Sequence, residues 1–232
     1  MVNTFVRNTR SFSYGGLGAA RKLLLVTFLL NLYTHAAQAE DKVTIVAFGD
    51  SLTRGYGLPE DQGFVPQLQA WLDANGGGNI TLQNAGLSGD TTAGGLARID
   101  WTLTEDIDAV IVALGGNDML RGIFPDSSRD NLDGILEIVK ARDLPAMLVG
   151  LPAPTNFGPE FKAEFDGMYP QVAAKYDALF YPYFFEGFGV EQDTSALTGL
   201  MQDDATHPSA EGVALIVAHM GPMVLELAAQ VD

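Results

Sequence analysis

From Lys42 onward, short apolar runs alternate with segments whose apolar residues recur at helical spacing. Residues 43–48, Val-Thr-Ile-Val-Ala-Phe closed by Gly49, predict a buried strand. Residues 63–75 place Phe64, Val65, Leu68, Trp71 and Leu72 on one helical stripe, which Gly76-Gly77-Gly78 ends. Residues 80–83 predict a second strand. Residues 91–103 predict a helix, weakened by Gly94-Gly95. Residues 109–114 form the clearest strand, stopped by Gly115-Gly116. A helix over 129–140 carries Leu132, Ile135, Leu136 and Val139 on one face, and residues 146–149 predict a fourth strand. Residues 161–176 predict a helix interrupted at Pro170, because proline lacks an N–H and crowds the carbonyl four residues back. A fifth strand is expected at 179–181. A closing helix is expected at 209–229, with Ser209 as N-cap and Pro208 at its start.

Apolar strands alternating with helices imply a parallel sheet covered on both faces, a three-layer α/β arrangement. No repeat, low-complexity tract or linker interrupts residues 40–232, so one domain with about five parallel strands is expected there. In such sheets, sites form beyond the carboxyl ends of the strands.

Residues 1–39 have a different character. They hold Arg7, Arg10, Arg21 and Lys22 and no acidic residue, then an apolar run over 23–33, then Ala37-Gln38-Ala39 before Glu40. Basic, apolar, small is the order of a secretory signal peptide, which implies a periplasmic or secreted protein. As a helix the apolar run reaches about 16 Å, roughly half a bilayer core, so no stable membrane span is expected after processing. An uncleaved anchor is the alternative, since the basic region is long.

Composition narrows the function further. With 47% apolar and 18% charged residues, the 232-residue chain is expected to fold. It has no cysteine, which excludes a disulfide framework, a thiolate-bound metal, a cysteine nucleophile and a lipidated cysteine. A net charge of -16 argues against nucleic acid as a partner and against docking on an anionic membrane.

Four pieces stand where a parallel sheet would gather them. Gly49-Asp50-Ser51-Leu52 follows the first strand and Asn84-Ala85-Gly86 the second. Gly115-Gly116-Asn117-Asp118 follows the third, and Asp204-Ala205-Thr206-His207-Pro208 precedes the last helix. Singly, each is ordinary turn chemistry. In this order they resemble the SGNH (GDSL) hydrolases, esterases named for Ser, Gly, Asn and His in four blocks, and the resemblance runs over residues 45–229. Residues 115–122 and 151–158 are especially similar to the bacterial secreted arylesterase, acyl-CoA thioesterase I and lysophospholipase subgroup. The resemblance implies a three-layer flavodoxin-like fold and a serine esterase working through a covalent acyl-enzyme.

The chemistry asks for particular residues. Ser51 is the expected nucleophile, and a neutral hydroxyl needs an adjacent base. His207 is expected to be that base, with His219, inside the last helix, read as a surface or part-buried residue. Asp204 lies three residues before His207, so one loop can aim the carboxylate at imidazole Nδ1–H; neighbouring Asp203 is read as a solvated loop charge. By resemblance the oxyanion donors are the N–H groups of Ser51 and Gly86 and the side-chain amide of Asn117. Asp50 and Asp118 are expected to bond loop N–H groups rather than do chemistry, and Ser88 to be a polar loop residue.

No Gly-x-Ser-x-Gly elbow, His-Glu-x-x-His pair or phosphate-binding glycine loop occurs after residue 39, so no metal or nucleotide cofactor is implied. Met119, Leu120, Phe124 and Pro152, with Ile123, Phe157 and Phe161 nearby, are apolar loop residues at the mouth of a polar site. They suit an acyl chain or an aromatic leaving group. The expected partner is a small-molecule acyl ester, thioester or lipid of short to medium chain, lysophospholipids included. Two rivals remain. A carbohydrate acetyl esterase would present exposed Trp and Tyr, yet Trp71 and Trp101 both fall in expected helices. A non-catalytic flavodoxin-like module would hold FMN and leave Asp204, His207 and Asn117 without a purpose.

Overall fold

A computed structural model describes residues 1–2, 42–189 and 199–231. The expected leader, residues 1–39, lies outside the described residues apart from its first two, and every element belongs to the unit Lys42–Asp232. In chain order the elements are β1 (Val43–Gly49), α1 (Ser51–Arg54), α2 (Phe64–Ala74), β2 (Ile80–Gly86) and α3 (Thr92–Thr102). Then come β3 (Ala109–Ala113), α4 (Gly116–Leu120), α5 (Pro125–Lys140), β4 (Ala146–Val149), α6 (Pro159–Lys175), β5 (Leu179–Tyr181) and α7 (Ala210–Ala228).

The five strands form one parallel sheet in the order β2-β1-β3-β4-β5. Strand side chains alternate between its faces, so each face has its own core. On one face Ile45, Ala47, Ile111 and Met147 meet Leu68 and Leu72 of α2 and Ile216 and Met220 of α7. On the other, Val46, Phe48, Val112 and Leu148 meet Ile99 of α3, Leu132 of α5 and Phe165 of α6. The expected three-layer α/β fold is thus present. Among the described residues α7 is long and apolar enough to cross a bilayer, but it lies on the sheet with Val213, Ile216, Val217, Met220 and Val224 buried.

Several expected boundaries move. α6 runs unbroken through exposed Pro170, because Phe165, Met168, Tyr169 and Val172 bury one face on both sides of it. α5 begins four residues earlier than expected, with Pro125 in its first turn. β2 extends beyond the expected Gln83 through polar Asn84 to Gly86, which pairs with Gly49. α3 runs straight through the Gly94-Gly95 pair. A Cβ at Gly95 would lie 2.4 Å from Leu114 Cδ1 and also crowd Phe48, so the glycine lets the helix approach the sheet closely. Pro208 does not open α7; it pairs with Met201 in an isolated antiparallel bridge, and Ser209 caps the helix by accepting the Gly212 N–H at 3.1 Å.

Candidate active site

β1 and β3 are neighbours in space although the chain visits β2 between them. Their carboxyl ends therefore flank the point where the strand order reverses, the usual ligand crevice of open α/β sheets. Ser51 opens α1 directly after β1. Asp50 caps that short helix, its Oδ1 accepting the Leu52 N–H at 3.0 Å, and Gly55 ends it in the left-handed region at φ 81°.

The second contribution comes from the segment before α7. Asp204 Oδ1 accepts the N–H groups of Thr206 at 2.9 Å and His207 at 3.0 Å, closing a tight turn through Ala205. That turn leaves Oδ2 2.6 Å from His207 Nδ1, and His207 Nε2 lies 2.8 Å from Ser51 Oγ. Both contacts are satisfied by one tautomer: Nδ1–H donates to the carboxylate, and Nε2 accepts from the serine hydroxyl. The backbone N–H of His207, then its ring and the Thr206 N–H, hold the Asp204 carboxyl down at about 2. It is therefore an anion at any pH near neutrality. The Tyr56 ring leans on the imidazole, with centroids 4.7 Å apart. Asp203 is exposed, and the Nδ1 of exposed His219 on α7 lies 2.8 Å from the hydroxyl of Tyr181 in β5.

Asn117 lies in the first turn of α4, and its Nδ2 donates to Asp50 Oδ2 at 3.2 Å. The turn into α4 needs Gly115: its φ is 119°, and a Cβ there would sit 2.2 Å from the Tyr169 hydroxyl. Asp50 thus holds both the start of α1 and the asparagine amide. Burial pushes its carboxyl up to about 6, against the pull of the Leu52 N–H, the Asn117 amide and His207. Buried Asp118 accepts from the Thr92 N–H at 2.9 Å, the Thr92 hydroxyl at 2.5 Å and the Ser128 hydroxyl at 3.0 Å, tying α3, α4 and α5 together. It does so mostly through hydroxyls, where the sequence predicts backbone groups.

Gly86 requires a correction. Its N–H donates to Asn84 Oδ1 at 3.0 Å and so is already engaged. A Cβ on it would lie 2.3 Å from the Arg54 backbone nitrogen, so its lack of a side chain serves the close approach of β2 to α1. Three residues on, Gly89 has φ 82° and its carbonyl accepts from Arg121 Nη2 at 2.7 Å. Among the described residues no hydrogen bond engages the Gly89 N–H.

An open cleft of about 540 Å³ meets Ser51, Asn117 and His207. Met119, Leu120 and Pro152 line it as expected, joined by Leu151, Tyr183, Phe185, Phe188 and Met201. Phe124 does not: it precedes α5 and is 77% exposed, away from this wall. Phe157 and Phe161 stack on each other at 5.0 Å outside the cleft. Trp71 rests against Gly221 of α7 and Trp101 is exposed on α3, so neither lines the cleft.

Two supports of the site carry little signal in the sequence. Buried Arg98 donates to Asp90 Oδ2 at 2.7 Å and to the Gly49 carbonyl at 2.9 Å, with its guanidinium 3.9 Å from the Phe48 ring centroid. It pins the loop after β2 to the end of β1. An arginine within a helix that lies against the sheet is the available clue. Gln202 links the Tyr56 and His207 segments, and no local pattern marks it.

Comparison with known proteins gives a consistent result. Residues 47–215 match the GDSL-like lipase/acylhydrolase family. The chain is 37% identical to esterase TesA of Pseudomonas aeruginosa over 209 residues, covering 89% of this chain and 99% of that one. It is 32% identical to thioesterase 1/protease 1/lysophospholipase L1 of Escherichia coli K12 over 201 residues, 86% and 90% of the respective chains. Among solved structures, AlinE4, an SGNH-hydrolase family esterase, is 41% identical, covering 82% of this chain and 98% of its own, with a TM-score of 0.65.

Proposed function

The chain belongs to the GDSL-like lipase/acylhydrolase family and is a carboxylic ester hydrolase, and we propose that Ser51, His207 and Asp204 carry out its reaction through a covalent acyl-enzyme. The observation that supports this is the continuous chain of contacts from Ser51 Oγ through the imidazole to the Asp204 carboxylate, at 2.8 and 2.6 Å. The Ser51 hydroxyl attacks the acyl carbonyl while its proton passes to His207 Nε2, and ionised Asp204 stabilises the imidazolium. The oxyanion receives the Ser51 N–H and the Asn117 amide, whose other hydrogen is held by Asp50. We assign the third donor to Gly89 in place of Gly86, because the Gly86 N–H already serves Asn84. The imidazolium then returns the proton to the leaving oxygen. Water repeats the sequence on the acyl-enzyme.

Met119, Leu120 and Pro152 suit the acyl chain of short- to medium-chain esters, thioesters or lysophospholipids. The basic, apolar and small-residue order of residues 1–39 supports export to the periplasm or beyond, where oxygen esters are more available than acyl-CoA. The test is hydrolysis of p-nitrophenyl esters from acetate to laurate. Ser51→Ala is expected to lower kcat by about a thousandfold or more at every chain length. Wild-type turnover by Ser51→Ala would overturn the assignment.

A further inference from the structure

A second hollow, of about 620 Å³, begins at Arg54, the last residue of α1, and is lined among others by Tyr56, Leu58, Glu60, Leu82 and Ser88. It shares no lining residue with the apolar cleft. Tyr56 connects the two, because its ring rests on the imidazole of His207 while its residue lines the hollow.

The reaction gives this position a meaning. When the tetrahedral intermediate collapses, His207 Nε2 must protonate the leaving oxygen. The alcohol half of the substrate therefore departs beside the imidazole. The hollow beyond Tyr56 is where an alcohol longer than a few atoms would extend.

Arg54 is the cation among the residues that line this hollow. Among the five arginines of the described residues, Arg98, Arg129 and Arg142 each pair with an aspartate, and Arg121 donates to the Gly89 carbonyl. The exposed Arg54 guanidinium makes neither kind of contact among the described residues. An unpaired cation in a chain of net charge -16 stands against the field of the whole molecule. A guanidinium fork fits a phosphate or carboxylate by two parallel hydrogen bonds.

We propose that this hollow receives the leaving-group half of the substrate and that Arg54 selects alcohols bearing an anionic group. The proposal rests on the Ser51–His207 reading above. The carboxylate of Glu60 in the same hollow limits the preference, so its removal should enhance it.

Three octanoyl esters test the idea: those of glycerol, of glycerol 3-phosphate and of 3-hydroxypropanoate. Arg54→Gln is expected to lower kcat/KM about tenfold on at least one of the charged esters and less than about twofold on the glycerol ester. Glu60→Gln is expected to raise kcat/KM on the same charged ester. A loss confined to the phosphate ester identifies a phosphate as the preferred group, and one confined to the carboxylate ester identifies a carboxylate. Equal losses on neutral and charged esters, or no loss on any, would overturn the proposal. Ser51→Ala run alongside separates the two levels. If it is inactive while Arg54→Gln is not selective, the leaving-group assignment alone fails; if it retains turnover, the catalytic reading beneath it fails.

Discussion

Asp50 shows how one buried carboxyl can serve structure and chemistry at once. It is 3% exposed, it caps α1 through Leu52, and it holds the Asn117 amide. These bonds favour its charged form, but the cost of burial outweighs them and raises its pKa to about 6. The sign comes from linkage. Between about pH 4 and 6 the folded protein binds this proton and the unfolded chain does not, so the stability it contributes is complete below about 4 and is lost as pH rises through 6. Asp50→Asn keeps an acceptor for the cap and removes the titration. Urea midpoints measured from pH 4 to 7 are expected to fall less with pH in Asp50→Asn than in the parent. Parallel profiles would show that Asp50 does not titrate in this way.

At the scale of elements, the catalytic contacts depend on two segments far apart in sequence. Gln202 joins them: its N–H donates to the His207 carbonyl at 2.8 Å, and its Nε2 lies 2.8 Å from the Tyr56 carbonyl and 2.9 Å from that of Pro208. Gln202→Ala is expected to lower kcat about ten- to a hundredfold by loosening the imidazole, with KM changed little. The pH profile of the residual activity should keep the parent's shape, because the same base is used. An unchanged kcat would contradict the role. The sequence marks long elements well, since ten or more residues span enough turns for a period to show. α1 and α4, of four and five residues, are too short for that, although they carry Ser51 and Asn117. The local cost of proline predicts a break in α6 at Pro170, and the burial of Phe165, Met168 and Tyr169 overrides it.

Across the whole molecule, the parallel sheet and its strand-end loops are legible because apolar runs alternate with helical stripes from β1 to α7. So is the convergence of Ser51, Asn117, Asp204 and His207, because strand order in such a sheet sends those loops to one edge. The glycine after β2 is not. Asn84-Ala85-Gly86-Leu87-Ser88-Gly89 offers two glycines, and only the register of β2 with β1 shows that Gly86 still belongs to the sheet. Phe124 fails for a related reason: sequence proximity to Asn117 does not fix the direction of a side chain after the chain has turned into α5. The central claim is that the fold activates one particular alcohol through one particular imidazole. Labelling with a fluorophosphonate, followed by peptide mapping, measures this most directly. The label should appear on Ser51 alone, and His207→Asn should slow its attachment by about a hundredfold or more. Label on another residue, or attachment at the parent's rate in His207→Asn, would contradict the account.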